Sequence, residues 1–391
     1  MLEIAIIGGG LCGLALANSL LAEKLPCAVF EARDRLGGRI LTKIARNNGL
    51  ALDMGATWYW PNSQPRITKL IDDLGLPHFA QHETGTLLSL KEADSPPQQI
   101  VLEDLHGGAR RIEGGASSLI QALAARLPAD MLHLEHPLSR LIDRGSHIEL
   151  HFQHGQDAVV VNARQVVLAL PPRLVEEVLA FEPPLNGQLR ETLRETPTWM
   201  AGNAKLLASF GGPDGKAANG DTPAAFWRTA GHSGNASASH PRAVLSEVHD
   251  ACDALGARAG LSAFFALAAP GRTAFRVGLP LLARSQLNQL FGAGAQDAEL
   301  HIQDWAEEAQ TCASLDRAGE AAHPEYAHPQ LRIPYWNGRL HLGGSETAAY
   351  SGGYMEGALE AAGRLRRELL ITRASQANAT ANPTANPACA S

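Results

Sequence analysis

Ile4-Ala5-Ile6-Ile7-Gly8-Gly9-Gly10-Leu11-Cys12-Gly13 opens the chain with a short apolar run that breaks into glycines spaced G-x-G-x-x-G. The β-branched run at 4–7 suits a parallel strand buried on both faces. Residues 14–23 then read as helix, with apolar side chains at Leu14, Leu16, Leu20 and Leu21. A second apolar run, Cys27-Ala28-Val29-Phe30, ends in Glu31, 18 residues after Gly13. This is the pattern of a strand–turn–helix–strand unit that cradles a dinucleotide. Gly8 permits the tight turn, Gly10 lets backbone approach a pyrophosphate, and Gly13 lets the helix sit on the strand. Leu11 and Cys12 stand at the helix head, where free N–H groups and the helix dipole attract phosphate. Glu31 is placed to bind ribose hydroxyls.

A second glycine pair follows in Glu31-Ala32-Arg33-Asp34-Arg35-Leu36-Gly37-Gly38-Arg39, and Arg39 is suited to pairing with a phosphate. Asp53-Met54-Gly55-Ala56-Thr57-Trp58 comes next. Near the other end, Leu340-His341-Leu342 reads as a strand and Gly343-Gly344-Ser345-Glu346-Thr347 as a turn. Tyr350-Ser351-Gly352-Gly353-Tyr354-Met355-Glu356-Gly357-Ala358 then opens a helix running to about residue 370. In kind and order these pieces resemble the flavin-containing amine oxidases, the family of monoamine, polyamine and L-amino-acid oxidases. The resemblance covers roughly residues 1–371 and is densest at both ends. It implies an α/β fold: an FAD-binding Rossmann-like domain of the glutathione-reductase type, with an inserted, smaller α+β substrate domain. It implies that Glu31, Ala32, Arg33, Gly38 and Arg39 reach the FAD ribose and pyrophosphate. Gly55, Ala56 and Thr57 would lie near the flavin ring, Gly344 and Glu346 at the ribityl and pyrophosphate, and Gly353, Tyr354 and Met355 against the isoalloxazine. Leu138 joins the implied cofactor contacts, and Tyr354 becomes one wall of an aromatic cage.

Three middle segments extend the resemblance. Gly114-Gly115 leads into a helix at about 116–127. Val166-Val167-Leu168-Ala169-Leu170-Pro171-Pro172 reads as a buried strand stopped by prolines. Lys205 sits within apolar residues 200–207, in a chain with only six lysines against 27 arginines. A lysine inside an apolar strand is costly without a partner. The resemblance gives it the catalytic place beside Tyr354, holding a water near flavin N5.

The resemblance also breaks in places. In mammalian monoamine oxidases a cysteine binds FAD and a second cage tyrosine follows it. Here Trp305 and the acids after it fit, but Cys312 is too close and is followed by Ala313. Non-covalent FAD is therefore expected, with the second cage wall either missing or supplied from elsewhere, Trp227, Tyr335 and Trp336 being the candidates. The FAD domain is expected over 1–72, 112–197 and 305–371, and the substrate domain over 73–111 and 198–304, with a disordered tail at 372–391. Residues 211–242, rich in Gly, Asn, Ser and Pro, read as loops, and 243–248 and 261–268 as strands.

Bulk properties narrow the function further. A net charge of -7 over 391 residues disfavours a nucleic-acid partner. The five cysteines form no metal or disulfide pattern, and His323 and His328 in their Pro-rich loop read as surface residues rather than metal ligands. Neither a basic leader nor an apolar run of about 18 residues is present, so a cytoplasmic setting is expected. The expected reaction is oxidation of a small amine to an imine, with electrons passing to O2 to give H2O2. Three rivals share the fold: a desaturase of another substrate class, a dehydrogenase feeding a quinone or protein, and a flavin-binding protein with little turnover.

Overall fold

The computed structural model describes residues 1–212, 214, 216, 224–319 and 322–381. Strand β1 (Leu2–Ile7) lies in the middle of the larger sheet, parallel to β2 (Cys27–Phe30) on one side and to the end of the long strand Asp157–Leu168 on the other. Parallel strands Leu132–His133 and Leu340–Leu342 flank these three. The first half of Asp157–Leu168 turns back into an antiparallel meander with Ile148–His154 and Leu138–Asp143. Alternation along β1 assigns its side chains to two cores. Ile4 and Ile6 pack with Leu14, Leu16 and Leu20 of helix α1 (Leu11–Ala22) and with Leu365 and Leu369 of the C-terminal helix. Ala5 and Ile7 face Leu141, Leu150 and Phe152 of the meander. This is why the strand reads as a continuous apolar run.

The turn between β1 and α1 is held by close backbone approach. Gly8 has φ +111°, and a Cβ on Gly13 would stand 2.0 Å from the Gly8 carbonyl oxygen. Helix α1 starts three residues earlier than the expected 14–23, taking in buried Leu11, Cys12 and Gly13.

A second sheet of seven strands is built from 86–100 and 204–304, in the order Glu299–Asp304, Ala204–Phe210, Ala259–Phe265, Leu245–Asp250, His232–Ala238, Thr86–Leu90, Gln98–Ile100. Helix Leu279–Phe291 covers one of its faces through Leu279, Ala283, Leu287 and Leu290. The loop expectation for 211–242 is corrected by strand His232–Ala238 and the short helix Phe226–Thr229. The strand's Gly, Ser, Asn and Ala residues have weak β propensity. It forms because it is paired on both sides, to Thr86–Leu90 and Leu245–Asp250. The rest of that stretch, at 213, 215 and 217–223, lies outside the described residues.

The C-terminal helix spans Met355–Ala381, well past the end near 370 that its apolar stripe suggests. Residues 382–391 of the expected tail lie outside the described residues. Its fully buried Glu356 accepts hydrogen bonds from the backbone N–H groups of Arg66 and Ile67, satisfying the head of helix α2 (Pro65–Asp73) from the opposite end of the chain.

Gly13→Ala must push α1 off β1. It is expected to lower stability by about 1–3 kcal/mol, the usual cost of overpacking. An unchanged thermal unfolding midpoint would contradict the close approach.

Candidate active site

The turn after β1, the head of α1, residues 31–39 and 55–58, and the loop 344–355 converge on one cavity of about 400 Å³. That is within the usual range for a small-molecule site. Gly8, Gly10, Leu11, Cys12, Glu31, Ala32, Arg33, Gly38, Arg39, Gly55, Ala56, Thr57, Leu138, Gly344, Glu346, Gly353, Tyr354 and Met355 all line it, together with Lys205. Gly13 stands behind the wall, against Gly8.

Three features of this lining suit a dinucleotide. The head of α1 has no side-chain cap, and the Cβ position of Gly10 looks into open space, so the helix amides are available to a phosphate. Glu31 is fixed by bonds from Gly9 N–H (2.8 Å) and Arg33 N–H (3.0 Å), which aim its carboxylate at the cavity. Glu346 is fully buried beside Arg39, with Nη1 2.7 Å from Oε1. Burial pushes the Glu346 carboxyl up, but the Arg39 guanidinium overcomes this and holds it below the usual carboxylate range. Its Oε1 receives no aligned hydrogen bond from the protein and can accept one from a ligand hydroxyl. Cys12 beside them stays a neutral thiol, pushed up to about 11 by burial, and adds no negative charge near the phosphate cradle.

Arg33 and Arg35 both have partners within the protein. Arg33 donates to Thr311 Oγ1 (2.7 Å) and pairs with Glu308; Arg35 donates to the carbonyls of Leu36 and Gly38.

Lys205 is 3% exposed. Its Nζ donates to Asp53 O (2.9 Å), Gly55 O (3.0 Å) and Thr57 Oγ1 (2.7 Å), and lies over the rings of Trp58 and Phe264. The ammonium thus spends all three protons on the D-M-G-A-T segment, and a water held there must displace one of these bonds. Burial pushes its pKa down to about 8, against an opposing pull from Asp53.

The second cage wall is corrected. Trp227 is buried in the core of the second sheet and donates to Asp250, while Tyr335 and Trp336 pack behind the larger sheet. None of the three lines the cavity. Trp199 lines it instead, 6.3 Å from Tyr354 at 40°, and Trp60 meets Tyr354 edge-on at 6.3 Å. A Cβ on Gly353 would collide with Trp199 at 2.4 Å, so this glycine seats the wall. Exposed His323 stacks on Trp199 at 3.5 Å, at the outer edge of the cage. The available sequence signals were Trp199 just ahead of the Lys205 segment and Trp60 two residues past Trp58. Cys312 packs with Ala201, Ala269 and Ala306, away from the lining. Among the described residues no group of three His, Cys, Asp or Glu side chains could hold a metal ion, and no helix is long and apolar enough to cross a membrane.

The model of the flavin containing amine oxidoreductases matches residues 11–87 and 79–365. The chain belongs to this family. It is an oxidoreductase acting on amines, and flavin is its cofactor. Flavin-containing amine oxidase A of Equus caballus is 22% identical over 95% of this chain and 85% of its own. Putrescine oxidase of Kocuria rosea is 36% identical over 21% of the chain. Among solved structures, cyclohexylamine oxidase from Brevibacterium oxydans and a redesigned putrescine oxidase each share the fold with a TM-score of 0.77. They cover 95% and 94% of this chain and 99% of their own, at 17% and 19% identity.

The Lys205 environment fixes the sign of a pH effect. The folded state releases this proton near pH 8 and the unfolded state near 10.5. In that window the unfolded chain holds more protons, so stability rises with pH, at most by about 1.4 kcal/mol per unit. The wild type is therefore expected to gain stability over Lys205→Met as pH rises from 8 to 10 in denaturant titrations. A constant difference would contradict the burial of a cation there.

Proposed function

We propose that the protein binds FAD without a covalent bond and oxidises a small amine to an imine, with dioxygen as acceptor and hydrogen peroxide as product. The carrying observation is the single cavity that joins a dinucleotide cradle to an aromatic front of Trp58, Trp60, Trp199, Phe264 and Tyr354 beside a buried Lys205. The position of Cys312 away from the lining supports the non-covalent reading. The same reading gives residues 1–72, 112–197 and 305–371 to the flavin, and 73–111 and 198–304 to the substrate.

The Leu11 and Cys12 amides, Arg39, Glu31 and Glu346 would hold the FAD phosphates, ribose and ribityl chain. When bound, FAD supplies the two-electron oxidation of the carbon beside nitrogen. The chain's own residues prepare the amine. An alkyl amine arrives protonated, with a reference pKa of about 10.4, and only the neutral form has the lone pair that drives oxidation. Aromatic walls strip its water, and the Lys205 cation repels a second cation. Both effects favour the neutral amine, so no separate base is needed. Tyr354 and Trp199 orient it and exclude water from the reacting carbon.

Purified protein mixed anaerobically with a panel of amines is expected to lose its flavin absorbance with at least one of them. Lys205→Met is expected to keep its flavin and slow turnover about 10²-fold, because losing the nearby cation leaves more of the bound amine protonated, at tenfold per pKa unit. Flavin that no amine bleaches would overturn the amine reading, and full turnover in the variant would remove Lys205 from the mechanism.

A further inference from the structure

Behind the cavity wall lies a buried polar chain that the proposed reaction does not use. Glu83 Oε1 is 2.8 Å from His106 Nδ1, and His106 Nε2 is 3.0 Å from His249 Nδ1. His249 Nε2 lies 3.4 Å from Glu247 Oε2. The two imidazoles are 9% and 13% exposed, while Glu83 and Glu247 reach towards solvent. Two of the tryptophans that line the cavity lean on this chain. Trp60 Nε1 donates to His106 O (2.7 Å), and Trp58 meets the edge of His249 at 4.9 Å and the ring of His106 at 5.9 Å. Phe264 also meets His249, at 6.1 Å. Trp58 and Phe264 are the two rings that carry the Lys205 ammonium on their faces.

Counting protons shows what the chain does. It has three gaps between acceptors, and carboxylates supply no hydrogen. Two neutral imidazoles carry one N–H each, so at least one gap is empty whichever tautomers form. In keeping with this, His249 Nε2 has no aligned hydrogen-bond partner despite its burial. One added proton fills every gap and places the new charge between two carboxylates.

We propose that Glu83–His106–His249–Glu247 is a one-proton latch that sets the Trp58 and Phe264 walls, with His249 as its positioning residue. The proposal rests on reading the cavity as the amine site. The charged and titratable groups facing the pair are Glu83 from the loop before Thr86–Leu90, Glu247 from the strand of His249, and Lys205 across the two rings. Burial holds His249 below the usual histidine range, against the pull of Glu247, so acidification is what adds the proton to its ring. Closing it also brings a second positive charge towards Lys205.

The test is the indole N–H resonance of Trp58 in ¹⁵N-labelled, FAD-loaded protein, assigned with Trp58→Phe and followed from about pH 5 to 8, where imidazoles titrate. It is read without any amine, so failure of amine turnover leaves it intact. The expected result is a single one-proton transition in the wild type, with no transition at that midpoint in His249→Phe. In Glu83→Gln, a change at the chain's outer end, the midpoint should fall by about one unit as the outer carboxylate is lost. A flat wild-type profile overturns the proposal, as does a transition that survives unshifted in Glu83→Gln; the second readout stands even if His249→Phe fails to fold.

Discussion

The three bonds from Lys205 Nζ to Asp53 O, Gly55 O and Thr57 Oγ1 tie the second sheet to residues 53–57 at the cavity. A buried ammonium is unfavourable unless each proton finds an acceptor. The acceptors here come from one short segment that begins at the end of strand Ala51–Asp53, while the lysine comes from strand Ala204–Phe210 of the second sheet. The seam therefore has one well-satisfied register. Asn48 reinforces it by donating to the carbonyls of Phe210 and Ala259, and Trp305 by donating to Met54 O. Since Thr57, Trp58 and Gly55 line the cavity, holding the seam also shapes the site.

The cradle end depends on a different constraint, the meeting of the chain's two ends. The turn at Gly8–Gly13 and the loop 343–355 enclose the same space, and Gly344 N–H bonds to Cys12 Sγ at 3.4 Å. Arg39 and Glu346 neutralise one another where a phosphate and a ribityl chain would otherwise meet unbalanced charge. Helix α1 and the C-terminal helix pack side by side in one core, so the site's two glycine-rich turns are held by the same apolar contact.

Much of this was legible from the sequence because its cause is local. Glycine spacing, the acid after β2 and the apolar runs report backbone needs that only certain residues meet, so the strand–turn–helix unit could be named, and nearly all the residues expected to hold the cofactor do line the cavity. Lys205 stood out because a cation in an apolar strand demands partners. The features that escaped depend on tertiary pairing. His232–Ala238 becomes a strand only because neighbours bond it on both sides. Trp199 becomes a wall because Gly353 leaves room for it, and Trp227 is lost to the core because Asp250 takes its N–H. His106 and His249 are 143 residues apart, and no spacing rule connects them.

The most direct test of the central claim is a crystal structure of the protein loaded with FAD. The expected density places the pyrophosphate on the Leu11 and Cys12 amides and the isoalloxazine between Lys205 and the Tyr354–Trp199 pair. A flavin bound elsewhere, or one whose ring turns away from Lys205 and Tyr354, would contradict the site derived from this cavity.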